Sequence, residues 1–210
     1  MRNSLRRLVV ATGATAAAVV LAAPAATAGA TAVWTVGPSS PETFSATATS
    51  AVLTLNSIPM TCSGSAAAGT LTSASGTTNV QVGTIAPLTF SGCTSPFGTV
   101  TPTTNTSPAW RLVANTYSGG VTSGYIDGVQ ATIKVLTCTF TVTGRVAATY
   151  TNSTGKLAVS NNATYKLSVA TISASGCSGI AKVGDVPTFT SSYGAVTPAG
   201  GTTKPTIVYS

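Results

Sequence analysis

The chain of 210 residues contains no histidine and three carboxylates, Glu42, Asp127 and Asp185. The first absence removes the commonest general base, the usual activator of a Ser or Cys nucleophile and the commonest metal ligand. Asp127 and Asp185 are then the one pair that could serve as acid and nucleophile of a glycoside hydrolase, a reaction that needs two carboxyls flanking one bond. Both lie in turn-like settings, Gly124-Tyr-Ile-Asp-Gly128 and Gly184-Asp185, where Asp is favoured for local hydrogen bonds, and a turn is the expectation for each. Ser153-Thr-Gly-Lys156 has the spacing of lysine-activated serine chemistry, but in an Asn/Ser/Gly turn and not at a helix start. No two cysteines are closer than 31 positions, too far apart for paired zinc ligands, and no GxGxxG or P-loop sequence occurs. The residues therefore point to a protein that is not an enzyme, with no catalytic or metal site, no cofactor and no nucleotide.

Binding remains. Trp110, Tyr117 and Tyr125 fall around the Gly119-Gly120 turn, so adjacent strands could present them as a stacking platform for sugar rings. The competing reading makes Trp110, in Ala109-Trp-Arg-Leu-Val113, a core residue with its N–H satisfied. Asn105, Asn152 and Asn162 open N-glycosylation sequons.

These residues must be carried by a chain whose beginning reads as an export leader. Arg2, Arg6 and Arg7 precede an apolar run from Leu8 to about Ala23, followed by Ala26-Thr27-Ala28, a signal peptide with an A-x-A cleavage site. The run is shorter than the roughly 20 residues of a spanning helix. The Arg6-Arg7 pair leaves both the unfolded and the twin-arginine export routes open. Cleavage near Ala28 gives residues 29–210 as a single domain and removes three cations, so the formal charge falls from +7 to +4. The seven remaining cations, Arg111, Lys134, Arg145, Lys156, Lys166, Lys182 and Lys204, are at least 10 positions apart and form no phosphate-tracking cluster, which excludes nucleic acid as a partner. Solubility must come from hydroxyls and backbone polarity, a surface compatible with contact to carbohydrate.

Outside the cytoplasm disulfides persist. Ile85-Ala-Pro-Leu-Thr-Phe-Ser-Gly-Cys93-Thr and Val169-Ala-Thr-Ile-Ser-Ala-Ser-Gly-Cys177-Ser align on their cysteines, and each follows a Thr-Cys pair, Thr61-Cys62 and Thr137-Cys138. That order predicts Cys62 with Cys93, Cys138 with Cys177, and an internal two-fold repeat with halves about 44–94 and 121–178. Period-2 alternation is clearest from Val129 to Val146, with Val129, Ala131, Ile133 and Val135 in one phase and Leu136, Cys138, Phe140 and Val142 in the other. The slip between Val135 and Leu136 predicts a bulge or corner. Further strands are expected near 32–36, 43–55, 79–90, 109–117, 145–151, 187–193 and 205–209. Thr94–Pro108 reads as a Thr/Ser/Pro-rich connection. The fold class expected is all-β, an antiparallel β-sandwich or barrel with two disulfides.

Ala32-Val-Trp34-Thr-Val, Gly69-Thr-Leu71, Cys93-Thr-Ser-Pro-Phe-Gly98, Trp110-Arg-Leu112, Gly120-Val-Thr-Ser-Gly124, Tyr150-Thr-Asn-Ser-Thr-Gly-Lys-Leu157 and Gly176-Cys177-Ser-Gly179 resemble small secreted proteins of Streptomyces-like actinobacteria. The resemblance implies secretion and a β-rich fold and supplies no catalytic residues. The expected role is structural or adhesive, in the extracellular space or cell envelope, with cell-wall or extracellular glycan, or a second copy of the chain, as partner. A carbohydrate-binding module and an envelope β-barrel are the alternatives.

Overall fold

The computed structural model describes residues 31–173, 176–198 and 201–210; the leader expected over 1–28 lies outside them. The strands are β1 (Val33–Gly37), β2 (Glu42–Ala48), β3 (Ala51–Leu55), β4 (Ile58–Leu71), β5 (Ala74–Ser75), β6 (Val80–Ser95), β7 (Gly98–Thr104), β8 (Trp110–Ser118), β9 (Val121–Val135), β10 (Cys138–Thr151), β11 (Lys156–Ser160), β12 (Leu167–Ile172), β13 (Thr188–Tyr193), β14 (Thr197–Pro198) and β15 (Thr206–Tyr209). No helix occurs among the described residues.

Antiparallel pairing runs β4, β3, β13, β11, β10, β9, then through β8 at one end and β7 at the other to β6, which returns to β4. The ring closes as an eight-strand barrel. A barrel of this size is just filled by its own side chains. The alternation that the sequence shows in β9 and β10 does this filling: Ala131, Ile133, Val135, Phe140 and Val142 are all buried inside. The interior retains a cavity of about 80 Å³ with an almost wholly apolar lining, including Met60, Leu88, Trp110 and Phe189.

The long strands each serve two neighbours. β2 and β3 keep one register along β4, from Glu42↔Leu71 to Leu55↔Ile58, so the single strand expected near 43–55 is one ladder with a break at Thr49-Ser50. The three-stranded sheet β15-β1-β5 covers the end of the barrel where β8 turns into β9. There Trp34 is fully buried against Tyr209, and Tyr150 Oη donates to Pro205 O at 2.6 Å.

Both disulfides join the expected partners, and a pair of such bridges is compatible with an extracellular location. Cys62 and Cys93 are direct partners in the β4–β6 ladder, whereas Cys177 lies beyond the end of β12 and ties the following segment to the start of β10. In each case the strand after Thr-Cys pairs antiparallel with the strand leading to Ser-Gly-Cys.

Three expectations are corrected. The slip after Val135 is a two-residue hairpin turn, Leu136-Thr137, with Leu136 at φ 52° and 59 % exposed. A branched residue in that left-handed region gives no turn signal in the sequence. Thr94–Pro108 is not simply a connection, since Gly98–Thr104 pairs with β9 from Val100↔Val135 to Thr104↔Ala131. Its inward Val100 and the missing N–H of Pro102 suit a strand paired along only part of its other edge. Asp127 sits within β9, opposite Arg111 of β8, not in a turn.

Candidate functional site

The outer wall of the barrel carries one concentration of charge. In β9 the inward residues on either side of a bulge are Ile126 and Val129, which leaves Tyr125 and Asp127 on the outside. The β8–β9 ladder brings Arg111 opposite Asp127, and the β9–β10 ladder, shifted by a bulge at Gly144, brings Arg145 beside it. Asp127 Oδ2 accepts from Arg111 Nη2, and Oδ1 accepts from Arg145 Nε at 2.7 Å. These are the two ion pairs among the described residues. The Asp127 side chain is 11 % exposed, those of Arg111 and Arg145 55 % and 53 %. Burial by itself would push the Asp127 carboxyl up, but the hydrogen bonds and charges of Arg145 and Arg111 together outweigh it and hold the carboxyl below its ordinary value. The same hydrogen bond and charge of Asp127 push the Arg145 guanidinium up, so the Asp127–Arg145 pair is ionised at neutral pH.

An aromatic pair adjoins it. Tyr125 and Tyr165 stack with ring centroids 4.5 Å apart and planes at 22°, and the Arg145 guanidinium lies 5.3 Å from the Tyr125 centroid. Asn115 Nδ2 donates to Tyr165 Oη at 2.7 Å and Tyr125 Oη donates to Asn79 Oδ1 at 3.3 Å. These bonds fix the rings against the wall, while Tyr165 remains half-buried. On the other side of Arg145 a shallow depression of about 380 Å³ is lined by Asp127, Gly128, Gln130, Thr143 and Gly144. The two glycines that line it resist substitution for separate reasons. Gly128 has φ 75°, where a side chain is strained, and a Cβ on Gly144 would meet Lys166 O at 2.3 Å.

The aromatic platform read from the sequence is not assembled. Trp110 faces the barrel interior, 5 % exposed, with Nε1 donating to Asn105 O at 2.7 Å. Tyr117 packs against the core, and Tyr125 alone belongs to the outer patch. Asp185 accepts from Asn56 Nδ2 at 2.7 Å and from Lys182 N at 2.8 Å, in the turn the sequence suggests, and shares no partner with Asp127. Ser153 and Lys156 occupy the β10–β11 turn and the first position of β11, and the lysine bonded at Ser153 is Lys204, whose Nζ donates to the Ser153 carbonyl at 3.1 Å. Sequence reasoning missed Arg111, Arg145, Tyr165, Asn79 and Asn115. The available signal was that charges are scarce, and that Arg111 and Arg145 stand at outward phases of strands whose inward neighbours are apolar.

No protein-family model, curated protein or solved structure matches the chain. Among the described residues no group of three His, Cys, Asp or Glu residues could hold a metal ion.

Proposed function

We propose that this is a non-enzymatic extracellular or cell-envelope protein that adheres to polysaccharide through the outer wall of its barrel. The reading rests on one observation: in a chain with 6 % charged residues, two arginines and an aspartate meet beside a stacked tyrosine pair and a ring-sized hollow. Aromatic faces and fixed planar polar groups are what a sugar requires, apolar C–H surface on one side and directed hydroxyl contacts at the edge. Export, inferred from the leader, would deliver the patch to cell-wall or extracellular glycan. The test is co-sedimentation of the oxidised protein with purified cell wall and insoluble polysaccharides. Binding that falls at least tenfold in Tyr165→Ala with an unchanged far-UV spectrum supports adhesion at the patch. Equal binding by the variant, or none by the wild type, removes it.

The envelope-barrel alternative is disfavoured by the polarity of the walls. A lipid-facing barrel is apolar outside and polar within, whereas here the outward positions of β9 and β10 include Gln130, Thr132, Lys134, Thr139, Thr141 and Thr143 and the interior is apolar. Self-association draws on a separate feature. Among the described residues the exposed large hydrophobics, Phe97, Leu136, Val183 and Val186, all lie at the barrel end where β3–β4, β6–β7 and β9–β10 turn. Asp185, between the two valines, is tied there by Asn56. Concentration-dependent sedimentation that disappears in Phe97→Ser/Leu136→Asn would support a second copy as partner; a monomer at all concentrations would exclude it.

A further inference from the structure

The same patch carries an imbalance of charge that narrows the class of sugar, an inference that rests on the polysaccharide reading above. Asp127 uses one oxygen for each arginine. Arg145 is engaged through Nε, which leaves both of its Nη groups without a partner among the described residues; Arg111 is engaged through Nη2, which leaves Nη1 and Nε. No other carboxylate is available to neutralise them. Glu42 is bonded to Ser39 and Asp185 is held by Asn56 and the Lys182 N–H.

One anion for two cations is an unfinished arrangement, and its free donors are organised. Asp127 and the Tyr125 ring hold the Arg145 guanidinium on two sides, so the Nη edge is presented with little freedom left to lose. A guanidinium edge binds a carboxylate or a phosphate in bidentate fashion, and such charge-assisted bonds are about twice as strong as neutral ones. The depression that Arg145 lines offers Gln130 and Thr143 as neutral hydrogen-bonding groups.

We infer that the glycan bound at this patch is anionic, with a carboxylate or phosphodiester paired to the free guanidinium edges of Arg145 and Arg111 and its sugar ring seated over Gly128 and Gly144. A neutral glycan would offer those donors hydroxyl oxygens but no charge to pair with them.

The experiment compares three soluble polymers on the immobilised, oxidised protein: polygalacturonate, the same polymer fully methyl-esterified, and poly(glycerol phosphate) teichoic acid. Esterification removes the charge and keeps the sugar. Polygalacturonate or the teichoic acid should bind at least tenfold more tightly than the ester; whichever binds more tightly identifies carboxylate or phosphodiester as the source of the anion. Arg145→Gln should abolish the preference, and Arg145→Lys should restore no more than part of it because the fork is lost. Lys134→Gln, on the neighbouring strand β9 near the barrel end, should leave the preference intact.

Equal binding of the ester and the acid overturns the anionic inference while polysaccharide adhesion stands. Failure of all three polymers, together with failure to sediment with cell wall, overturns both. A loss in Lys134→Gln as large as in Arg145→Gln would mean diffuse cation exchange and no site. So would binding to phosphatidylglycerol vesicles as tight as to either polymer.

Discussion

Replacing Asp127 by Asn tests the centre of the wall cluster, because the amide keeps the shape and removes the charge. The carboxylate is mostly buried and accepts one bond from each of two arginines whose own side chains are more than half exposed. A hydrogen bond to a charged group contributes roughly 1.5–3 kcal/mol, and exposure of one partner reduces an ion pair toward 1 kcal/mol or less. Two such bonds at about 1 kcal/mol each give a loss of about 2 kcal/mol. For a domain of this size that is a fall of roughly 4–8 °C in Tm. The effect must also depend on pH with a definite sign. The folded carboxyl is held below its ordinary value of 3.8, so its contribution is fully present above that pH and disappears as pH falls through the depressed value. Glu42 and Asp185 are common to both proteins and cancel in the comparison. Calorimetric melts of wild type and Asp127→Asn from pH 7 to pH 2.5 should therefore show a constant gap down to about pH 5 that closes in acid. A gap below 1 °C at pH 7 would refute the ion-pair reasoning, and so would one that persists unchanged at pH 2.5.

Trp110→Ala should cost about 3–5 kcal/mol by emptying a core position, with glycan binding by the folded fraction unchanged; a selective loss of binding with full stability would restore the aromatic platform. Removing Cys138 and Cys177 together releases a separation of 39 residues, about 4 kcal/mol in the chain-entropy model, and hydrogen exchange should lose protection in 176–186, whereas Cys62→Ala/Cys93→Ala should cost a similar amount and leave the β4–β6 ladder protected. Burial pushes the Tyr150 phenol up to about 12, so its contribution is full below pH 10 and is lost as pH rises through 12. Tyr150→Phe should flatten that alkaline decline by about 2 kcal/mol, read by melts between pH 9 and 12.

What the sequence disclosed and what it withheld divide along local against distant information. Alternation in β9 and β10, the glycine turns at 119–120 and 152–155, and the cysteine pairing all express themselves within short windows, and the structure follows them. Barrel closure does not, because it depends on pairings such as Leu53↔Phe189 between residues far apart in the chain, and nothing in either strand names its partner. β7 was obscured by Pro102, which reads as a breaker until one sees that the strand pairs along only part of one edge. The hairpin at Leu136-Thr137 was obscured because a leucine occupies a conformation that usually calls for glycine. For the site the difficulty is register. Arg111, Asp127 and Arg145 stand 16 and 18 positions apart, and only the combined β8–β9–β10 alignment, offset by the bulge at Gly144, sets them side by side.

The wall itself shows that the cluster is not needed to build a barrel. A few residues along the same two strands, outward Thr132 and Thr141 face each other and join through their hydroxyls at 3.1 Å. Hydroxyl pairs of this kind satisfy a cross-strand position without burying a charge, and threonine is what the outward positions of β9 and β10 use most. At Asp127 the chain departs from its own pattern. It places a carboxylate where burial opposes ionisation, surrounds it with two long cations that must be held in one geometry, and adds a stacked tyrosine from the segment before β12. Each of these carries a desolvation or entropy cost that a threonine pair would avoid. Stability alone does not account for the arrangement, since the closed ladders and the apolar interior are present around the whole barrel. The departure is intelligible if the outward edges of the arginines have a partner, and the requirement that they be rigid before it arrives explains why the carboxylate and the tyrosine are there.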